Sequence, residues 1–250
     1  MTTVGSRFAA VVAVDPTRPL LTWYDDGTGE RTELSGATLA NWVAKTANLF
    51  VDGLGLGPGD TAVALLPPHW QTAAVLLGAW SAGLDVAFSA GPGDVGFATP
   101  DVGFATGDVG FATPDRAGEL TQPERYLVGL HPFGLPLRDV PAGYLDYTVE
   151  VRGYGDRFGA PPGGDGGGDE LVARAEDRAA ALGLTGTDRM LIDTGNYPDP
   201  VDWLLAPVVA GASTVLCGQL DPAKLPSRID AERVTRTLTG QRPTERSVAN

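Results

Sequence analysis

Residues 35–89 read SGATLANWVAKTANLFVDGLGLGPGDTAVALLPPHWQTAAVLLGAWSAGLDVAFS, and their punctuation is that of an α/β protein. Ser35 is an N-cap residue ahead of Leu39, Trp42, Val43, Ala47 and Phe50, which recur at helical spacing. Gly53 is placed to end that helix as its C′ residue. The apolar run 61–66 predicts a buried strand, 69–83 a second helix and 85–89 another strand. Helix, turn, strand, helix, strand predicts a mostly parallel sheet. The glycines of GLGLGPG, 53–59, superficially match a dinucleotide fingerprint. That motif follows a strand and opens a helix, whereas here a helix precedes and a strand follows, so helix cap plus turn is expected.

The same pattern returns later in the chain. Residues 54–88 align without gaps on 182–216 at an offset of 128, with eight of 35 positions identical. The identities are Leu-Gly-Leu at 54–56 and 182–184, Asp60 and Asp188, Leu76-Leu77 and Leu204-Leu205, and Ala82-Gly83 and Ala210-Gly211. They fall where a helix ends, a strand begins and the next helix packs and stops. Duplication, a pseudo-symmetric fold, or convergence of two helix–turn–strand units each explain this. The expected architecture is one α/β domain over 1–236, of two pseudo-repeated lobes at about 1–120 and 121–236, with a polar tail over 237–250. Upstream, 8–14 reads as a first amphipathic helix, and 20–24 with 31–34 as a β-hairpin across a Gly-rich turn. Downstream, strands are expected over 126–130, 189–192 and 213–217, and helices over 170–182, 201–211 and 222–232. Residues 144–151 fit either.

A shorter repeat is of another kind. DVGFAT occurs at 94–99, 101–106 and 108–113, with Pro100, Gly107 and Pro114 as seventh residues. Gly and Pro in the unit exclude a coiled-coil heptad. A continuous strand fails because an odd period throws successive Phe side chains to opposite faces. No copy has the dense oxygen ligands of a calcium loop. The expectation is a tandem duplication in which one copy occupies a strand and the others loop out.

Composition bounds the function. The formal net charge is −13, which argues against nucleic acid and anionic membranes as partners. No apolar run approaches a membrane span, and no signal-type segment opens the chain, so a cytoplasmic protein is expected. Cys217, the one cysteine, follows an apolar run without a basic neighbour in sequence and reads as a packed thiol. There is no nucleophile elbow, and His69 and His131 lie outside metal-ligand spacing. His69, after Pro67-Pro68 at a helix start, reads as a cap or a solvated side chain. Asp193, Asp199 and Asp202 read as turn and cap residues, or alternatively as a cation cluster. No catalytic residue, metal or cofactor is expected.

Residues 34–85 and 188–235 resemble the AMP-forming acyl-CoA synthetases and ligases: a capped helix, Leu-Gly-x-Gly-Pro-Gly-Asp, an apolar strand and an Ala-Gly-terminated helix in order. A closer likeness is to a family of short stand-alone proteins from high-GC bacteria that share this fragment. The resemblance implies a phosphate-gripping loop at 159–168, where this chain reads GAPPGGDGGG. Gly163, Gly164, Gly166, Gly167 and Gly168 remain, with neither hydroxyl nor lysine, and the only charge is Asp165. A phosphate site needs N–H donors and usually a cation, so the loop is degenerate. The segment implied to line an acyl pocket falls near 194–197 and lacks its histidine, which makes Asp193, Asn196 and Tyr197 the candidate pocket residues. The later acidic motif, ribose-binding Asp, hinge and domain with the catalytic Lys have no counterpart within these 250 residues. The implied function is a pseudoenzyme binding a small molecule or an unknown protein partner. One alternative is a subunit of a split acyl-activating enzyme, and another is a self-associating assembly protein.

Overall fold

In the computed structural model the described residues are 3–91, 97–98, 107–159 and 168–240. The chain opens with α1 (Val4–Val14), whose first turn is closed by a reciprocal cap between Thr3 and Ser6. Then β1 (Pro19–Asp25) and β2 (Glu30–Ser35) form the expected antiparallel hairpin, with Trp23 opposite Thr32. Ser35 caps α2 (Gly36–Asn48), its hydroxyl accepting from the Thr38 amide at 3.2 Å. The exit of α2 differs from expectation. A π turn over Leu49–Gly53 adds a residue to the last turn, and the left-handed position moves to Gly55 (φ 69°). Gly53 has a different reason to be glycine: a Cβ there would collide with the Tyr154 hydroxyl.

The following strands and helix are β3 (Thr61–Leu65), α3 (Trp70–Ala82) and β4 (Asp85–Phe88), with Gly83 left-handed at the helix end (φ 87°). Two copies of the DVGFAT unit, not one, reach the sheet. The third supplies β6 (Val109–Ala112), fully buried between β3 and its neighbour β7 (Glu124–Leu127). The first supplies β5 (Phe97–Ala98), antiparallel on the edge of β4. The second lies outside the described residues. Residues 144–151 split between strand and helix, as β8 (Leu145–Asp146) and α4 (Tyr147–Val151).

The last third of the chain holds α5 (Gly168–Ala181), β9 (Arg189–Asp193), a π turn (Val201–Leu205) running into α6 (Ala206–Ala210), and β10 (Ser213–Gly218). It ends with α7 (Leu225–Ala231) and β11 (Arg236–Leu238). Pro207 explains the interruption before α6: it has no N–H to donate and its ring disfavours the preceding α turn. β11 pairs with β9, so the sheet continues beyond the expected domain end at residue 236.

The two sheets have the orders β11-β9-β10-β1-β2 and β5-β4-β3-β6-β7-β8, parallel except at the β2 and β5 edges. They do not divide the chain near residue 120. The N-terminal hairpin joins the C-terminal strands, because β1 pairs in parallel with β10 from Leu21–Thr214 to Asp25–Gly218. One continuous core includes α1, α2, α3 and α6 together with the facing sides of both sheets, and Phe50, Trp80, Phe88, Phe111 and Trp203 are among its fully buried side chains. Smaller apolar clusters cover the opposite faces, around Val63 and Leu65 on one sheet and Leu191 and Val215 on the other. Among the described residues no helix is long and apolar enough to cross a membrane.

Candidate functional site

Parallel strands of one sheet send their carboxyl ends to the same edge, and the loops that leave that edge carry the groups free to meet a ligand. Here a cavity of about 600 Å³ collects such loops from both sheets. Trp23 and Asp25 come from β1, Gly218 and Gln219 from the end of β10, and Thr194, Gly195 and Pro198 from the loop after β9. The other sheet contributes Pro67, Pro68 and His69 after β3, Ala90 and Gly91 after β4, and Leu130 after β7. Gly218 is small for a reason, since a Cβ there would come within 2.6 Å of the Trp23 ring.

The cavity wall carries no lysine or arginine among its described residues, and it includes two carboxylates, Asp25 and Glu30. Nearby cations are committed elsewhere. Arg116, buried beside the β4 exit, donates to the Ser89 carbonyl at 2.9 Å and pairs with Glu119 at 2.8 Å. Arg228 forks onto Asp26 at 2.6 and 3.0 Å and holds that carboxyl well below the usual range. Arg228 also reaches the Cys217 sulfur at 3.4 Å, so the thiol has the basic neighbour absent from its local sequence. Burial still dominates and pushes the thiol up to about 11, which leaves it a packed, unreactive group.

The candidates Asp193, Asn196 and Tyr197 occupy the right loop but do not line this cavity. The Asp193 carboxylate is consumed by its own turn, accepting from the Gly195 amide at 3.1 Å and the Asn196 side chain at 2.7 Å. Tyr197 is buried and lines a separate hollow with Arg174, Arg178 and Asp202. Asp199 caps the Val201 amide at 2.8 Å and Asp202 pairs with Arg178 at 2.6 Å. No group of three or more potential metal ligands occurs among the described residues. Gly168 begins α5 with φ 50°, while Gly163, Gly164, Gly166 and Gly167 lie outside the described residues.

Sequence reasoning placed His69 at a helix start but did not place it in the site. It is buried, and its Nδ1 caps α3 by accepting from the Gln71 amide at 3.2 Å, which realises the cap and not the solvated alternative. Its ring meets Trp23 edge-on, with centroids 4.9 Å apart. Desolvation pushes its pKa down to about 3, so the ring is neutral near pH 7. A signal for His69 was present in the internal alignment: the offset of 128 superimposes 67–69 on 195–197, and both turns border the cavity.

No family model matches the chain. A curated protein of Mycobacterium tuberculosis, described as a TIGR03089 family protein, is 42% identical over 242 residues, covering 94% of this chain and 97% of the relative. The chain belongs to the TIGR03089 family. The fold of this TIGR03089 protein recurs as part of larger molecules. A Brucella canis acyl-CoA synthetase superimposes with a TM-score of 0.72 at 17% identity, over 95% of this chain and 47% of that one. The N-terminal domain of FACL13 from Mycobacterium tuberculosis gives a TM-score of 0.65 at 17% identity, over 95% of this chain and 62% of that one. The TIGR03089 fold is therefore that of the acyl-CoA synthetase N-terminal domain, and the chain spans about half the length of the full synthetase.

Proposed function

We propose that this protein is a non-catalytic binding module on the acyl-CoA synthetase frame, holding a small molecule in the cavity at the strand ends. The observation that carries this reading is the cavity's charge. Adenylation stabilises a polyphosphate in its transition state with fixed cations. The described wall offers none and includes Asp25 and Glu30. Like charge in a partly desolvated cleft opposes a triphosphate, while six strand ends still supply a rigid, largely apolar enclosure. The purified chain is expected to show no ATP–pyrophosphate exchange and no thermal stabilisation by ATP, but to be stabilised by uncharged ligands. Exchange by the chain alone would overturn the reading.

A second reading, a subunit of a split acyl-activating enzyme, draws on one further observation. Leu145 and Val149, 40% and 50% exposed, lie on β8 and the adjoining α4 at the edge of the six-stranded sheet. It predicts a co-purifying partner and acyl-adenylate formation only in the mixture. Activity absent from every such mixture would remove it.

A further inference from the structure

Six large apolar side chains stand exposed among the described residues, and five of them fall within 133–149. Phe133 is 73% exposed, and Leu135, Val140, Leu145 and Val149 are 38–50% exposed. The fold gathers them at one end of the molecule. Leu145 lies on β8, the edge strand of the six-stranded sheet, and Val149 on α4, which follows directly. The loop ahead of them is tied alongside. The Leu137 amide donates to the Asp146 carboxylate at 2.6 Å, and Arg152 donates to the Gly134 carbonyl at 2.7 Å. An exposed apolar patch with a polar rim is the mark of an interaction surface.

The rim bears on what covers it. The charges within 133–152 that are not buried are Arg138, Asp139, Glu150 and Arg152, two of each sign. None of the four belongs to any of the nine ion pairs among the described residues. This local balance stands on a chain of net charge −13. Two copies therefore repel over most of their surface and meet at least cost here.

We propose that this face is a two-fold contact between two copies of the chain. In such a contact each patch meets itself. The arginines of one copy then face the carboxylates of the other, and the apolar side chains of both are covered together. The contact goes beyond the binding reading and does not depend on it. The split-subunit reading gives Leu145 and Val149 to a foreign chain instead, and the experiment separates the two.

Sedimentation equilibrium of the full chain from about 1 to 100 μM tests the contact. A monomer–dimer equilibrium is expected. Phe133→Asp combined with Val149→Asp should leave only monomer. Both positions are exposed, so the thermal midpoint should stay within about 2 °C of the parent chain. Arg138→Glu, and separately Asp139→Arg with Glu150→Arg, should each weaken self-association about tenfold. An equimolar mixture of those two variants should pair again, because one patch is now acidic and the other basic. A foreign partner, or a dimer formed through another face, gives no such recovery. Monomer at every concentration would overturn the proposal and leave the face to a foreign chain, with the cavity reading untouched. A dimer that survives both Asp substitutions, or a mixture that fails to pair, would overturn it as well.

Discussion

The β3-α3-β4 unit and the β9-α6-β10 unit perform the same backbone tasks with different interiors. Asp60 and Asp188 each close the turn before their strand, accepting from the Gly57 and Thr185 amides at 2.7 and 2.8 Å. Gly83 and Gly211 each end the helix in the left-handed region, at φ 87° and 74°. The amides of Leu84 and Ala212 each reach back to helix carbonyls, at Ala79 and Pro207, both at 2.9 Å. The eight identities of the internal alignment therefore mark recurring structural tasks, and the residues between them diverge. In the first unit the helix runs without a break from a His cap, and in the second the three prolines at 198, 200 and 207 coincide with a π turn and a short helix. The difference teaches that a strand–helix–strand frame is set by its corners. What fills the strand-to-helix turn, Pro67-Pro68-His69 or Gly195-Asn196-Tyr197, is free to specialise.

The largest effect expected from breaking this comparison is in the core. Leu77 and Leu205 occupy equivalent buried positions, and truncating either to Ala should cost about 2–5 kcal/mol in urea unfolding. A loss confined to one of the pair would break the equivalence.

Acid comes next and separates the units by pH. The buried His69 must stay neutral in the fold, its pKa pushed from 6.5 to about 3, so the stability it contributes is complete above pH 6.5 and drains as pH falls towards 3. Beside the other sheet, at the end of α7, Glu232 loses solvation, which raises its pKa. Hydrogen bonds from Tyr24, Arg189 and Arg31 outweigh that and hold it down to about 2. Its contribution is present above pH 4.5 and drains below that. Urea midpoints from pH 7 to 3 should therefore fall in two stages, each on the order of a few kcal/mol. His69→Asn should flatten the upper stage and Glu232→Gln the lower.

A smaller contrast lies inside the helices. A Cβ on Gly78 would come within 2.6 Å of the Thr46 side chain on α2, whereas its counterpart Ala206 carries one. Gly78→Ala should destabilise by about 1–3 kcal/mol through overpacking, and Ala206→Gly by about 1 kcal/mol through helix propensity. The mildest test is at the corners. Asp60→Ala should cost about 1 kcal/mol. Asp188→Ala should cost more, because its carboxylate also accepts from the Thr235 hydroxyl at 2.7 Å and the Arg236 guanidinium at 3.4 Å.

What sequence reasoning reached follows from which interactions are local. The Ser35 cap, the hairpin, the β3-α3-β4 order and the Gly83 terminus were legible because each depends on residues a few positions apart. The parallel pairing of β1 with β10 was not, since nothing near Leu21 announces a partner at Thr214. Which repeat copy fills the central strand was hidden by the copies' identity, and the residue just before each copy, Gly93, Pro100 or Gly107, sets only the second apart. A Cβ at Gly107 would come within 2.5 Å of Val63, so the corresponding Pro100 before the second copy would not fit that slot. The site was half legible: the segment singled out near 194–197 borders the cavity, but the cavity takes Thr194, Gly195 and the following Pro198 rather than Asp193, Asn196 and Tyr197. His69 escaped because its role arises only when the two sheets meet.

The heptapeptide copies give this fold an unusual relation to its own gene. β6 needs one DVGFAT unit preceded by glycine, and the first of the identical units already lends two residues to the edge beyond β4. Loss or gain of a unit by replication slippage would change the length of the intervening segment while leaving the central rung intact. Because lengthening a connection costs in general only about 0.6 kcal/mol per doubling, the copy number is a property of the chain that heredity can vary at little thermodynamic risk.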